Sequence, residues 1–253
     1  MIGFAEIKHK RGIIELWHEA FGDSYEEINI IINEILKYMV IFEENDEVKG
    51  MLALLPVSCA ESKGRYIYAV ATMKKWRGNG ISTKLLEFAK QVKSDFLILV
   101  PQTSELYDFY EKRGFFNISC TQKCETVSQR YDDIVYQQIS TEQYLEKRKL
   151  FCNDCMLIEW SADMLKLAKK MYGGKFLSIC SENRENGVAF CFKSGKTLYV
   201  KEILAEDTEK AAQMIGYSCG AEKVVYIKKE HAEASAMMYP KAVKNIYFNI
   251  AMD

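Results

Sequence analysis

The segment from Tyr66 to Val92 constrains the fold of this chain most strongly, because its hydrophobic pattern changes from strand to helix across a glycine-rich turn. Residues 66–72 are rich in β-branched and aromatic side chains, as a β-strand requires. After Gly80, apolar residues recur at helical spacing, at Ile81, Leu85, Phe88, Ala89 and Val92. The segment therefore predicts a strand that leads through a tight turn into an amphipathic helix.

The turn, Arg77-Gly-Asn-Gly80, predicts a seat for phosphate. Gly78 and Gly80 carry no side chain, so they leave backbone N–H groups uncovered where the helix begins. These N–H groups and the positive end of the helix dipole together favour an anion. A strand-to-helix turn that merely needs glycine has the same local sequence, because a short glycine motif is weak evidence by itself.

Two motifs resemble signatures of the GCN5-related N-acetyltransferase (GNAT) superfamily. Val70-Ala-Thr72 followed by Arg77–Ser82 resembles the pyrophosphate-binding signature Arg/Gln-x-x-Gly-x-Gly/Ala, with Ser82 replacing the usual small residue. About thirty residues after Gly80, Tyr110-Glu-Lys-Arg-Gly-Phe115 resembles the second signature, Tyr-Glu-Lys-x-Gly-Phe. Segments such as Met51–Pro56 are distantly similar to bacterial acetyltransferases of the enhanced-intracellular-survival type.

The resemblance implies that acetyl-CoA is the cosubstrate and that no metal is needed. In that family the strand end pairs with pantetheine like an added strand, and the loop wraps the pyrophosphate. The corresponding cofactor-binding candidates are Val70, Ala71, Thr72, Arg77, Gly78, Asn79, Gly80, Ile81 and Ser82.

The resemblance also implies two catalytic candidates. Tyr110 corresponds to the tyrosine that protonates the leaving CoA thiolate, and a role in packing alone is its alternative. In the enhanced-intracellular-survival enzymes the C-terminal carboxylate reaches the active site, so Asp253 is the second candidate. An ordinary final edge strand over Tyr247–Asp253 is the alternative for that residue.

The first half of the chain alternates helices and strands. The patterns predict a helix over 10–21, a second helix after Ser24, a hairpin within 38–59, and then a strand–helix–strand–helix–strand series through residue 121. This order resembles the mixed α/β fold of GNAT domains. The resemblance implies that the central strands of the sheet splay apart and admit the pantetheine arm.

The second half is interpreted as a degenerate repeat of the first. Strand, helix and strand recur in the same order at Lys196–Leu204, Asp207–Ser218 and Glu222–Lys228. The loop in the phosphate-binding position, Ala205–Lys210, has no glycine and contains acidic residues that repel a pyrophosphate. We therefore expect a GNAT domain at 1–127 that binds acetyl-CoA and a GNAT-like domain at 128–253 that lacks the phosphate loop. An unrelated small α/β domain is the alternative for the second half.

Composition excludes some function classes. The net charge is −1, so no overall field attracts nucleic acid or an anionic membrane. No apolar run approaches the roughly 20 residues that a membrane span needs, and no signal-like segment starts the chain. We therefore expect a cytoplasmic protein without nucleic-acid or membrane partners. The sequence does not indicate an oligomeric state.

The eight cysteines are expected to stay reduced, because disulfides are rare inside cells. Cys120 with Cys124, and Cys152 with Cys155, have spacings that a structural zinc site could use. Simple burial is the favoured interpretation, since free cysteine is among the most buried residue types.

Two functions from different classes remain open. The first is transfer of an acetyl group from acetyl-CoA to a primary amine of a small molecule or peptide, by direct attack in a ternary complex. The second is a non-catalytic CoA-binding sensor or interaction module, because the sequence contains no evident general base. Asp23, Glu26 and Glu27 could attract a cationic amine, although a solvated helix start also explains them.

Overall fold

The chain divides into two compact units. A computed structural model describes residues 1–118, 121–152, 154–181, 184–230, 234–241 and 246–250. The first unit contains Met1–Phe116 and Met237–Lys241, and the second contains the other described residues. The predicted boundary after residue 127 falls inside the second unit, because residues 121–127 form a strand of that unit's sheet.

Apart from β1 (Ile2–Phe4), which the sequence did not predict, the elements up to residue 118 follow the predicted order of helices and strands. They are β1 Ile2–Phe4, α1 Lys10–Phe21, α2 Tyr25–Ile35, β2 Met39–Glu44, β3 Glu47–Cys59, β4 Ser62–Thr72, α3 Ile81–Gln91, β5 Phe96–Leu99, α4 Ser104–Glu111 and β6 Phe116–Ile118. Ser24 caps α2 through a reciprocal pair of hydrogen bonds with Glu27, as its sequence predicts.

The remaining elements include several short strands that the sequence did not predict. They are β7 Thr121–Val127, β8 Ile134–Gln138, α5 Thr141–Phe151, β9 Met156–Leu157, β10 Glu159–Trp160, α6 Ala162–Tyr172, β11 Lys175–Ser181, β12 Arg184–Ser194, β13 Thr197–Ala205, α7 Thr208–Ser218, β14 Lys223–Lys229, β15 Ala236–Tyr239 and β16 Ile246–Tyr247.

The sheet of the first unit has the order β1-β2-β3-β4-β5-β15-β6. The strands β1 to β4 pair antiparallel in succession, whereas β4 and β5 are parallel. Helix α3 makes the crossover between β4 and β5. It buries Ile81, Leu85, Leu86 and Ala89 in a core that also contains Leu52 and Ile67.

A strand from late in the chain completes this sheet. β15 pairs antiparallel with β5, with Met237 opposite Leu99 and Tyr239 opposite Leu97. Met237 is fully buried in the core of the first unit. The first unit therefore uses residues that a division by sequence position assigns to the second.

The second unit has its own sheet, in the order β7-β14-β13-β12-β11-β8. Its parallel pair, β13 and β14, is joined by α7, which buries Ala211, Ala212 and Ile215 against that sheet. The strand–helix–strand arrangement of β4, α3 and β5 thus recurs in β13, α7 and β14.

A buried ion pair lies within the second unit. Arg148 on α5 donates to both carboxylate oxygens of Glu202, from Nε at 2.8 Å and from Nη2 at 3.0 Å. Tyr144 also donates to Glu202, and Arg148 Nη1 donates to the Ile158 carbonyl at 2.8 Å. Burial lowers the pKa of Arg148, but the Glu202 carboxylate outweighs it and leaves that pKa raised. Each charge is therefore satisfied inside the core.

Candidate active site

The strands β4 and β5 separate toward their C-terminal ends. Their pairing extends only from Gly64–Tyr66 with Phe96–Ile98, although β4 continues to Thr72 and β5 ends at Leu99. Among the described strands, β3 alone pairs with the last residues of β4. We call the side of Ala69–Thr72 that faces away from β3 the β4 edge. Among the described strands none pairs with this edge, so an extended ligand could add to it as a further strand.

A bulge bends the same part of β4. Tyr68 pairs with Ala53 and Ala71 pairs with Met51, so Ala69 and Val70 together oppose the single residue Leu52. Ala69 has a φ of +52°, in the left-handed region that costs a non-glycine residue about 1 kcal/mol. Bulges re-aim a strand and are frequent beside active sites. This one lies immediately before the candidate residues Val70, Ala71 and Thr72.

The phosphate loop, residues 77–82, ends on the first turn of α3. Gly78 and Gly80 have φ values of +82° and +71°. A Cβ built at either position would meet no atom within 4 Å. The backbone N–H groups of residues 80–83 form no hydrogen bond with the described residues, and the first bond of the helix is from Lys84 to the Gly80 carbonyl. These N–H groups therefore remain free for an anion, as at any uncapped helix N-terminus.

Side-chain contacts fasten the phosphate loop to the end of β4. Arg77 Nε donates to the Thr72 carbonyl at 3.2 Å, and the hydroxyls of Thr72 and Ser82 lie 2.9 Å apart. Asn79 Nδ2 donates to the Trp76 carbonyl at 3.1 Å within the turn. The strand-end candidates and the loop candidates therefore form one continuous surface, and the unusual Ser82 contributes to holding it.

Tyr110 lies on α4 with its ring buried and 6% of its surface exposed. Its ring makes edge contacts with Phe109 and Phe115, at 5.2 and 5.8 Å between centroids. Burial raises the pKa of Tyr110 to about 12, against a smaller lowering by Arg113. The hydroxyl has no hydrogen-bond partner among the described residues, so it stays a protonated and uncommitted donor near neutral pH.

Arg113 connects the helix of Tyr110 to the first turn of α3, a contact that the sequence did not predict. Its Nε and Nη2 donate to the Thr83 hydroxyl at 3.0 and 2.7 Å. Its guanidinium also stacks on the Phe109 ring at 3.5 Å from the centroid. Arg113 occupies the variable position of the Tyr-Glu-Lys-x-Gly-Phe signature, which gave no sign of this role.

Two of the acidic residues near the start of α2, Asp23 and Glu27, have local structural partners. Asp23 accepts a hydrogen bond from Trp17 Nε1 at 2.8 Å, and Glu27 accepts from Ser24 in the cap of α2. The Ser24 hydrogen bonds lower the pKa of the Glu27 carboxyl. The other catalytic candidate, Asp253, lies outside the described residues.

The second unit differs from the first both in the pairing of its parallel strands and in the N-terminus of the helix that joins them. Pairing between β13 and β14 extends from Thr197–Lys223 to Ile203–Lys228, so these strands do not separate as β4 and β5 do. Asp207 caps α7, since its carboxylate accepts the Lys210 N–H at 3.0 Å. A carboxylate thus already occupies the helix N-terminus that would otherwise bind phosphate.

The described cysteines do not assemble the four-thiolate zinc site that the spacings suggested. Cys152, Asp154 and Cys155 place one potential ligand atom each within 4.8 Å of the others, and Cys124 is not in this group. Cys120 lies outside the described residues.

One known family matches most of the first unit. Residues 6–128 match the family described as "Acetyltransferase (GNAT) domain". This part of the chain is similar to GCN5-related N-acetyltransferase domains. It contains the β4 edge, the phosphate loop and Tyr110. A search of curated proteins finds no significant match.

Solved structures extend the likeness over both units. A GCN5-related N-acetyltransferase from Anabaena variabilis has a TM-score of 0.72 at 13% identity, covering 94% of this chain and 72% of that one. Eis1 from Mycobacterium abscessus has a TM-score of 0.58 at 10% identity, covering 94% and 73%.

A tandem GNAT protein from the clavulanic acid biosynthesis pathway has a TM-score of 0.57 at 8% identity, covering 96% of this chain and all of that one (100%). At such identities the likeness establishes the fold alone. The prediction of a mixed α/β GNAT fold in two tandem units, the second degenerate, is confirmed. None of the described helices is long and apolar enough to cross a membrane.

Proposed function

We propose that the first unit transfers an acetyl group from acetyl-CoA to a primary amine of a small molecule or peptide. One observation carries this proposal: the β4 edge leads directly to a helix N-terminus whose N–H groups are free. An extended arm ending in a pyrophosphate requires both features, in that order. The match to an acetyltransferase family supports the same cosubstrate.

Each part of this surface has a proposed role toward acetyl-CoA. Backbone groups of Val70, Ala71 and Thr72 would pair with the pantetheine amides. The N–H groups of residues 80–83 would receive the pyrophosphate, and Gly78 and Gly80 leave room for its close approach. A backbone N–H of the β4 edge would also polarise the thioester carbonyl.

Acetyl-CoA supplies an activated acyl group, and the amine attacks its carbonyl carbon directly in a ternary complex. A C–N bond forms and the C–S bond breaks, which leaves a thiolate that must be protonated. Tyr110 is the proposed proton donor, because its raised pKa of about 12 keeps the hydroxyl neutral until the thiolate appears. The surplus proton of the amine goes to water, with Asp253 proposed to assist that transfer, and a proton from water restores the Tyr110 hydroxyl.

A release assay tests this function. The full chain is titrated calorimetrically with acetyl-CoA, and free thiol is then measured across a panel of small amines, polyamines and peptides. Acetylated amine, detected by mass spectrometry in proportion to thiol released, is the expected result. Binding without turnover on the whole panel would instead support a CoA-binding sensor, and a folded protein without binding would refute both functions.

Removal of Met252 and Asp253 tests the proposed carboxylate separately. If Asp253 assists proton transfer, turnover should fall while acetyl-CoA affinity is retained. Unchanged turnover in a truncated protein with the same unfolding midpoint would exclude that role.

A further inference from the structure

Two cysteines in the second unit lie in direct contact. Cys152 is the C-cap of α5, and Cys155 immediately precedes β9. Their sulfur atoms lie 2.8 Å apart, and both residues are free thiols. Cys152 is buried while Cys155 is half-buried. Cys155 is therefore the more accessible thiol, and the buried thiol of Cys152 is in contact with it.

The surroundings shift the pKa values of the two thiols in opposite directions, so that Cys155 is the nucleophile and Cys152 is the resolving thiol. The hydrogen bond from Cys152, aided by the charge of Lys229, lowers the pKa of Cys155 to about 7. The same hydrogen bond, together with burial, raises the pKa of Cys152. A thiolate stabilised by a neighbouring thiol and a lysine is the arrangement of reactive Cys-x-x-Cys pairs.

The surroundings of the two thiols favour formation of a disulfide over binding of a metal ion. Asp154 is the third potential ligand, but its carboxylate forms an ion pair with Lys229. The Lys229 ammonium therefore brings positive charge to the place where a cation would bind. That charge stabilises a thiolate and opposes a metal.

A cavity adjoins residues that flank the pair, although neither cysteine lines it. It has a volume of about 420 Å³ and is lined by Phe151, Asp154 and Lys229, among others. Its lining mixes apolar side chains with charges of both signs, which suits a small, zwitterionic disulfide.

We propose that Cys152 and Cys155 form a reversible redox dithiol that exchanges with small-molecule disulfides of the glutathione type. The Cys155 thiolate attacks one sulfur of the disulfide, forms a mixed disulfide and releases one thiolate. Cys152 then loses its proton and attacks the Cys155 sulfur, which releases the second thiolate. The two protein thiols lose two electrons, and the small disulfide becomes two thiols. Those thiols take up the Cys152 proton and one proton from the medium.

Reactivity should distinguish this pair from the chain's other cysteines. Cys191 is an internal reference, because burial raises its pKa to about 12. Cys124 and Cys180 are partly exposed like Cys155, but neither has a thiol at contact distance among the described residues. A difference in rate between Cys155 and these two would therefore measure activation rather than exposure.

The test begins with the reduced wild-type protein. It is treated with limiting iodoacetamide at neutral pH, and labelling is followed for each cysteine by peptide mass spectrometry. Cys155 should react about tenfold faster than Cys124 or Cys180, and Cys191 slowest. In mixtures of oxidised and reduced glutathione, a Cys152–Cys155 disulfide should form first. Excess reduced glutathione should reverse it, because a stabilised thiolate favours the reduced form.

Variants then assign the two roles. Cys152→Ser should trap a stable glutathione adduct on Cys155, whereas Cys155→Ser should give little adduct on Cys152. Lys229→Gln should slow Cys155 labelling several-fold and move its pH profile upward. Lys228→Gln, which removes a neighbouring lysine paired with Glu230, should leave labelling unchanged. Circular dichroism confirms that each variant is folded.

Three results would overturn the proposal. One is labelling of Cys155 no faster than Cys124 or Cys180 in the wild-type protein. Another is a pair that stays reduced while other cysteines form glutathione adducts. The third is stoichiometric zinc retained through purification that protects both thiols from alkylation.

Discussion

Replacement of Gly80 by alanine should weaken CoA binding far more than it weakens the fold. Gly80 has a φ of +71°, so any side chain there carries a backbone strain of about 1 kcal/mol. A Cβ at this position would meet no atom within 4 Å in the free protein. The strain is therefore the whole expected loss of folding free energy.

Binding loses more, because the added methyl group would stand in the space that a pyrophosphate must enter. Displacing the phosphate from one N–H group costs about 1.5–3 kcal/mol, the range for a hydrogen bond to a charged partner. Since 1.4 kcal/mol corresponds to a factor of ten, CoA affinity should fall about tenfold to a hundredfold.

Gly173→Ala is the matched control. Gly173 caps α6 in the second unit, has a φ of +62°, and a Cβ there would also meet no atom within 4 Å. Both variants should lose similar unfolding free energy in urea, but only Gly80→Ala should lose CoA affinity in calorimetry. A pantetheine thioester that lacks the pyrophosphate should bind both alike. Equal affinity for CoA in the two variants would refute the assignment of the phosphate loop.

Three further predictions concern turnover and stability. Tyr110→Phe should lower turnover by about a hundredfold or more, which is the contribution of a general acid. Calorimetry should show that this variant keeps its affinity for acetyl-CoA. Turnover of the wild-type protein should not decline through Tyr110 ionisation even at about pH 9, because burial raises the pKa of Tyr110 to about 12. Asp207→Ala should cost about 1 kcal/mol of unfolding free energy through loss of the α7 cap, measured in urea, and leave CoA affinity unchanged. Glu202→Gln should lower the free energy of unfolding by about 3–5 kcal/mol, because it leaves the buried Arg148 charge unpaired. Glu206→Gln, in an exposed pair, should lower it by less than about 1 kcal/mol. Equal losses in the two variants would contradict the role of the buried pair.

Local sequence signals predicted most elements of the first unit. The helix over 10–21, the Ser24 cap and the strand–loop–helix from residue 66 follow from periodicity and capping, which act between near neighbours. The place of β15 beside β5 could not be predicted in this way. Strand pairing between residues so distant in sequence depends on the assembled sheet, and no local pattern specifies it.

Helix α5 was missed for a different reason. Its core-facing residues are Thr141, Tyr144 and Arg148, so its buried face looks polar in the sequence. Arg148 is tolerated there because Glu202, on a distant strand, satisfies its charge. A buried ion pair thus hides a helix from analysis of hydrophobic periodicity.

An anion site at the phosphate loop could be proposed from the sequence and stays a prediction, but the geometric context of the loop could not be predicted. The glycines and the two family signatures indicated where an anion would bind. The bulge at Ala69, the early end of β4–β5 pairing and the Arg113–Thr83 contact depend on register and on packing between α3 and α4. These features open the site, and they became visible only in the folded chain.

The stoichiometry of CoA binding to the full chain tests the central claim most directly. The first unit has an open β4 edge and a free helix N-terminus, whereas the second has paired strands and an Asp207 cap. Calorimetric titration of the wild-type protein should therefore give one CoA per chain. Two CoA molecules per chain, or none bound by a folded protein, would contradict this account.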